Sequence, residues 1–172
     1  MFRFRGVKDK TKILAGEPWH FDHHVLVLRS VEGQEQPSNI FLFVTPFWVQ
    51  IHGLPFNYRD SKIAMMIGKK LGVLMEVYQE EDWDMLSIMR VRVGLNLRNP
   101  LRTTLPVAAE EEEAFVVSFR YEQLPTFCFL CRRLGHGMKD CGYKSDEEIH
   151  DEGSLSYTEE LRAPPFRKNF FF

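Results

Sequence analysis

The sequence has no long apolar run and only three cysteines. No apolar stretch approaches the roughly 20 residues that a membrane-spanning helix needs. The basic start at residues 1–5 also lacks the apolar segment of a secretory signal. We therefore expect no membrane partner and a reducing compartment, nuclear or cytoplasmic, in which cysteine thiolates stay available to a metal.

An excess of charge of either sign is missing as well. The chain has 22 lysine and arginine residues against 24 aspartate and glutamate residues, a formal net charge of -2. A protein that wraps nucleic acid as histones do needs a large positive charge, so nucleic-acid binding here would depend on local basic patches. A content of 44% hydrophobic and 13% aromatic residues is sufficient for one folded domain with a small module beside it.

All three cysteines lie in one short segment that also contains a histidine. These residues have the spacing C-x2-C-x4-H-x4-C and are Cys128, Cys131, His136 and Cys141. Three thiolates and one imidazole complete the tetrahedral ligand set of a structural zinc site, which leaves no position for a reacting water. We expect Gly135 to permit a tight turn before the histidine and Gly137 to relieve crowding after it.

A disulfide with one spare thiol, or a redox C-x-x-C pair, could also use these cysteines. Three cysteines cannot all pair within one chain, and a redox pair gives no reason for the spaced histidine and the third cysteine. The spacing therefore favours zinc as the cofactor, held in a structural zinc knuckle.

The segment resembles the CCHC knuckles of retroviral and retrotransposon nucleocapsid proteins, most closely over residues 135–141. In that family an aromatic residue after the first cysteine and an apolar residue two after the histidine form a platform for an unpaired base. Phe129 and Met138 occupy these positions. Because aromatic faces attract unpaired bases, the resemblance implies binding of single-stranded RNA or DNA. The alternative is that both side chains pack on the neighbouring domain.

Several basic residues are predicted to contact phosphate. Those in the knuckle are Arg132, Arg133 and Lys139, and those in a strand predicted over residues 87–97 are Arg90 and Arg92. Alternation places the strand's apolar residues on one face and these two arginines on the other. Four arginines and no acidic residue occur from Arg90 through Arg102. The alternative is an ordinary solvent-facing row on a half-buried antiparallel strand.

The remaining pattern predicts an α+β fold, an RRM-like or ferredoxin-like antiparallel sheet with a few helices. We expect this domain over residues 1–124, the zinc knuckle over 125–144 and a mostly disordered acidic tail over 145–172. Asp9 and either Asp60 or Ser61 are expected to cap helices, the second of which ends at Gly72.

The body resembles the plant family called domain of unknown function 4283. That family typically precedes a zinc knuckle of this spacing in LINE-type retrotransposon proteins and their domesticated relatives. The match is carried by residues 2–4, 16–22, 47–55 and 121–128, and residues 161–164 resemble a stretch downstream of the knuckle. The family normally has about one more strand and helix ahead of Met1, so we expect a domain truncated at its start.

These observations predict zinc-dependent binding of single-stranded nucleic acid, RNA before DNA, by a non-catalytic protein of retrotransposon origin. The alternative is a protein-interaction module with a purely structural zinc and a protein partner on the sheet or the tail. A metal nuclease would need clustered carboxylates, for which the candidates are Glu80, Glu81, Asp82 and Asp84. Consecutive acids on a turn more often face water.

Overall fold

A computed structural model describes residues 2–31, 33–78, 88–108, 114–143 and 161–164. Its helices are α1 (Val7–Ala15) and α2 (Ser61–Leu71). Its strands are β1 (Trp19–Phe21), β2 (His24–Leu26), β3 (Val44–His52), β4 (Val73–Val77), β5 (Met89–Asn96), β6 (Thr104–Val107) and β7 (Phe115–Tyr121). The predicted α+β class is confirmed. The acidic nuclease candidates at 80–84 and most of the predicted tail lie outside the described residues, among which no helix could cross a membrane.

The main sheet is antiparallel, in the order β4-β5-β3-β7-β6, and β1 and β2 form a separate hairpin. β5 lies between β3 and β4 and pairs antiparallel with both, so β3 and β4 run parallel and α2 connects them. This is a split βαβ unit, the building block of ferredoxin-like folds. The chain departs from that fold after β5, where it continues into β6 and forms a hairpin with β7 in place of a second helix.

Helix α2 begins and packs as its sequence predicts. The Asp60 carboxylate accepts a hydrogen bond from the Ile63 backbone N–H at 2.8 Å, which caps the first turn. Ala64, Ile67 and Gly68 are buried against the sheet. Gly72 is the C-cap of the helix, and glycine is required there because an added Cβ would lie 2.5 Å from the Gly94 carbonyl oxygen. In α1, by contrast, Gly6 is the N-cap and Asp9 lies inside the first turn, so the predicted Asp9 cap is wrong.

The core lies on the α2 side of the sheet, but the central strands are covered on both faces. Phe47, Val49, Val91 and Val93 are fully buried. Residues on the opposite face are also covered, since Gln50 of β3 is only 2% exposed and Arg90 of β5 only 6%. The predicted alternation of buried and solvent-facing residues is therefore lost in the middle of β5.

Residues 161–164, which lie within the predicted tail, contact the body. Leu161 is 2% exposed within the hydrophobic core, and the Ala163 N–H donates to the Tyr121 carbonyl oxygen at 3.0 Å. The Arg162 guanidinium donates to the carbonyl oxygens of Leu124 at 2.6 Å and Pro125 at 3.1 Å. Burial of the Leu161 side chain and the hydrogen bonds from Arg162 explain why this segment is held against the body.

Candidate metal centre

Residues 126–135 form a tight hairpin that brings the predicted ligands together. The Cys128 N–H donates to the Arg133 carbonyl oxygen at 2.9 Å, and the Gly135 N–H donates to the Thr126 carbonyl oxygen at 3.1 Å. The loop closes because Arg132 and Gly135 have φ angles of 57° and 91°, in the left-handed region. The predicted need for glycine at position 135 fits this geometry.

The predicted reason for Gly137 is wrong. Its φ is -92°, which any residue adopts, and an added Cβ would meet nothing within 4 Å. No crowding near His136 therefore requires a glycine at this position.

The four ligand atoms lie close enough for one metal ion. They are all within 4.8 Å of one another, and the Cys131 Sγ lies 3.3 Å from the His136 Nε2. A tetrahedral zinc ion with bonds of about 2.0–2.3 Å has ligand atoms roughly 3.5–3.8 Å apart. The cluster therefore fits zinc, with His136 presenting Nε2.

The surroundings of the thiols also suit a metal-bound thiolate set. Burial raises the pKa of the Cys128 thiol, and the backbone N–H groups of Cys131 and Leu130 act against that rise. Burial acts in the same way on Cys131, but hydrogen bonds from the Arg133 backbone N–H and from the Cys128 and Cys141 thiols together outweigh it and lower the pKa of that thiol. Three adjoining thiolates would repel one another, and a divalent cation between them removes the repulsion while deprotonating each thiol.

A family model described as a zinc knuckle matches residues 95–143. The chain is also similar to an uncharacterized protein of Arabidopsis thaliana, with 24% identity over 164 residues, which are 94% of this chain and 51% of that protein. The chain thus spans about half the length of this curated relative. No solved structure matches the chain significantly. The ligand geometry and the family match agree, and the zinc knuckle with Cys128, Cys131, His136 and Cys141 as its zinc-binding residues is confirmed.

The zinc knuckle is docked on the body through two hydrogen bonds and one buried ring. The Leu101 N–H donates to the Arg132 carbonyl oxygen at 2.8 Å, and the Arg133 Nε donates to the Arg98 carbonyl oxygen at 3.0 Å. Phe127, which precedes the first ligand, is 3% exposed within the hydrophobic core. These contacts fix the orientation of the knuckle relative to the sheet.

The two predicted platform residues have different environments. Phe129 is half-buried, and its ring centroid lies 4.8 Å from that of Phe127. Met138 lies in a 3-10 turn over Met138–Asp140 and is 37% exposed. Part of the Phe129 ring therefore packs on the body, as one alternative predicts, and the rest remains accessible, as a platform for a base requires. Base stacking on either residue stays a prediction.

The three basic residues predicted in the knuckle also differ. Arg132 and Lys139 are exposed. Arg133 is half-buried, and its guanidinium lies over the Tyr143 ring at 4.0 Å in addition to the hydrogen bond to Arg98. Arg133 thus helps to dock the knuckle, and its predicted contact with phosphate remains a prediction.

Arg90 does not have the environment that the strand pattern predicts. It is 6% exposed, and its Nε and NH2 groups donate to both carboxylate oxygens of Glu122 at 2.7 Å. The guanidinium also lies between the rings of Trp48 and Tyr78, at 4.6 and 4.8 Å from their centroids. A paired and buried guanidinium cannot reach a phosphate, so the prediction of a nucleic-acid contact at Arg90 is corrected.

Arg92 is likewise held within the protein. Its NH2 group donates to the carbonyl oxygens of Ala15 at 2.9 Å and Leu14 at 3.2 Å, at the end of α1. The last carbonyl groups of a helix lack partners within the helix and carry partial negative charge, so they attract a cation. Arg92 therefore anchors α1 to the sheet, and because its side chain is only half-buried its predicted contact with phosphate stays a prediction.

Two residues that support the site were not predicted from the sequence. One is the counter-ion of Arg90, and the other holds the segment that leads into the knuckle. Glu122, the counter-ion of Arg90, is 32 residues away, and no local spacing links the two. Arg162, which holds the carbonyl groups just before the knuckle, was marked only by the resemblance of residues 161–164 to a family segment.

Proposed function

We propose that this protein binds single-stranded nucleic acid through its zinc knuckle, prefers RNA to DNA and catalyses no reaction. The observation that carries the proposal is the surface of the knuckle, where the accessible part of Phe129 and the exposed Met138 lie in the same short loop as the exposed Arg132. Apolar faces for stacking beside a cation for phosphate are the usual means of holding an unpaired strand.

The ligand set argues for a structural zinc and against a catalytic one. Three thiolates and an imidazole fill a tetrahedral site, whereas catalytic zinc ions keep a position for water or substrate. The zinc is therefore proposed to fold the loop so that Phe129 and Met138 are presented at its surface. The preference for RNA is proposed because sequence-specific RNA recognition mostly targets splayed, unpaired bases.

We also propose that the chain belongs to the plant family called domain of unknown function 4283 and derives from a LINE-type retrotransposon. The similarity to the Arabidopsis thaliana protein supports a plant family in which the body and the knuckle occur together, because it extends over 94% of the chain. The retrotransposon origin rests on the resemblance of residues 2–4, 16–22, 47–55 and 121–128 to that family.

The test is a titration of the zinc-loaded full chain with a short unstructured RNA, repeated after zinc removal by a chelator. We expect binding only with zinc, because the apparent binding free energy of about 10–16 kcal/mol in zinc-finger peptides is what folds such loops. Cys131→Ser should abolish both zinc occupancy and RNA binding. The absence of RNA binding by the zinc-loaded protein would overturn the proposal.

A protein-interaction module with a structural zinc is the second candidate. The contact of Phe129 with Phe127 and the docking of Arg133 on Arg98 favour it, because both turn part of the knuckle toward the body. In that case the zinc-loaded chain would bind no RNA, while zinc removal would still disturb the docked segment.

A further inference from the structure

A cleft of about 800 Å³ lies where the end of α2, the β5–β6 loop and the zinc knuckle meet. Every charged residue that lines it is basic, and these residues are Lys69, Lys70, Arg102 and Arg132. Asn96, Asn99, Thr103 and Thr104 are further polar residues of the lining, and no acidic residue takes part. Four positive charges around one cleft contrast with the formal net charge of -2 for the whole chain.

The four cations have no counter-ion in the described part of the chain. The salt bridges found there join Arg29 to Glu35 and Arg90 to Glu122, and neither involves the cleft. All four side chains are exposed. Lysines at a helix end are commonly explained by attraction to the helix dipole, which accounts for Lys69 and Lys70. That explanation does not extend to Arg102 and Arg132, which lie outside helices.

Hydrogen bonds fix the backbone that carries both arginines. The buried Tyr121 donates its hydroxyl to the Arg102 carbonyl oxygen at 2.8 Å. The Arg132 carbonyl oxygen accepts from the Leu101 N–H, also at 2.8 Å, so the two sides of the cleft are joined. A cleft with fixed walls loses little conformational entropy on binding, which favours a site that is formed before its ligand arrives.

We propose that this cleft binds the phosphates of the same nucleic-acid strand whose base stacks on the knuckle, an inference that rests on the proposed function. Arg132 provides the continuity, because it belongs both to the knuckle loop and to the wall of the cleft. A strand with its base on Phe129 runs past Arg132 toward Lys69, Lys70 and Arg102. The cleft is too large for a single phosphate and is lined on several sides by donors, which suits a run of backbone phosphates.

The test is a triple substitution outside the knuckle, Lys69→Gln, Lys70→Gln and Arg102→Gln, in the zinc-loaded full chain. Each phosphate contact to a single strand contributes about 0.7 to the slope of log K against log salt. We therefore expect the slope for a short unstructured RNA to fall by roughly 2 and the affinity to drop more than tenfold at low salt. Zinc content and base preference should stay unchanged, because neither the ligands nor Phe129 is altered.

The matched control is Arg5→Gln, Lys8→Gln and Lys12→Gln, which removes the same charge from exposed positions outside the cleft. This control should keep a salt slope within about 0.5 of the wild-type slope, which is less than the change of about 0.7 expected from losing one phosphate contact. A second variant, Lys69→Arg with Lys70→Arg, should retain wild-type affinity because it keeps the charge. If wild-type protein binds RNA and the cleft and control triples behave alike, the cleft inference is wrong while the proposed function stands.

Two further outcomes would also overturn the inference. If the zinc-loaded wild type binds no RNA, both the proposed function and the cleft assignment fail. If a polyglutamate peptide binds the wild type more tightly than RNA does and the cleft triple loses that binding, the cleft is a docking site for acidic protein segments.

Discussion

The ring of Phe129 distinguishes the two candidate uses of the zinc knuckle. If a base stacks on it, Phe129→Ala should cost about 1–3 kcal/mol in RNA binding. Zinc affinity should stay unchanged because no ligand is altered, and the salt dependence should stay because the phosphate contacts remain. Thermal melting and RNA titration on the same sample measure these effects. A modest fall in melting temperature is expected in either case, because the ring contacts Phe127.

The control for this substitution is Phe21→Ala, which removes an aromatic ring that is 79% exposed and lies outside the knuckle. It should leave RNA affinity unchanged. Unchanged affinity in folded Phe129→Ala protein, together with a lowered melting temperature, would mean that the ring serves only to pack the knuckle on the body.

The ion pair of Arg90 and Glu122 should contribute to stability and not to binding. Within the described part of the chain, Arg90→Met leaves the Glu122 carboxylate, 7% exposed, with the Gln50 amide as its remaining side-chain donor at 2.9 Å. Removing one partner of a buried pair costs about 3–5 kcal/mol, because the other charge stays buried without compensation. Urea unfolding followed by circular dichroism measures this loss.

The exposed pair of Arg29 and Glu35 is the comparison, since its side chains are 40% and 36% exposed. Arg29→Met should cost no more than about 1 kcal/mol, because solvent screens exposed ion pairs. If folded Arg90→Met protein were as stable as Arg29→Met and had a reduced salt slope in RNA binding, Arg90 would be a phosphate contact after all.

At the scale of elements, the zinc loop was predictable because its metal ligands lie close together in the sequence. Cys128, Cys131 and His136 lie within nine residues, and the hairpin that joins them needs only neighbouring hydrogen bonds. Helix α2 was predictable for the same reason, since Asp60 caps a turn three residues away. The environment of Arg90 was not, because Trp48, Tyr78 and Glu122 come from three separate segments of the chain.

The two glycines of the zinc loop give a prediction about that element. Gly135→Ala should weaken the loop by about 1–2 kcal/mol, because its φ of 91° is unfavourable for a residue with a Cβ. Gly137→Ala should be neutral, since its φ is -92° and the added carbon meets no atom within 4 Å. Competition with a zinc-binding dye measures the zinc affinity of both variants. Equal affinities would show that the left-handed turn at position 135 is not required for zinc binding.

At the scale of the whole molecule, the body, the segment leading into the knuckle and residues 161–164 share one core. Leu124, Phe127 and Leu161 all belong to the buried cluster that includes the strands of the sheet. The domain boundary predicted at residue 124 stays a prediction, but apolar residues on both sides of it pack together. The sequence could not indicate this, because Leu161 follows an acidic stretch and no periodic pattern marks it as buried.

This shared core predicts that a change in the tail weakens the whole fold. Leu161→Ala removes a side chain that is 2% exposed, and large-to-small substitutions in a core cost about 2–5 kcal/mol. Arg162→Ala should cost less than Leu161→Ala, although the carbonyl oxygens of Leu124 and Pro125 would lose its donors. Pro164→Ala is the control, because Pro164 is exposed. Urea unfolding of the three variants measures the losses.

Hydrogen exchange then locates the effect of Leu161→Ala. The Ala163 and Thr126 backbone N–H groups donate to Tyr121 and His23, respectively, so both amides report on the docked tail and the segment before the knuckle. We expect faster exchange at both, because removing the buried leucine loosens the segment that Arg162 holds against Leu124 and Pro125. A Leu161→Ala protein as stable as Pro164→Ala, with unchanged exchange at these amides, would mean that residues 161–164 do not support the fold in solution.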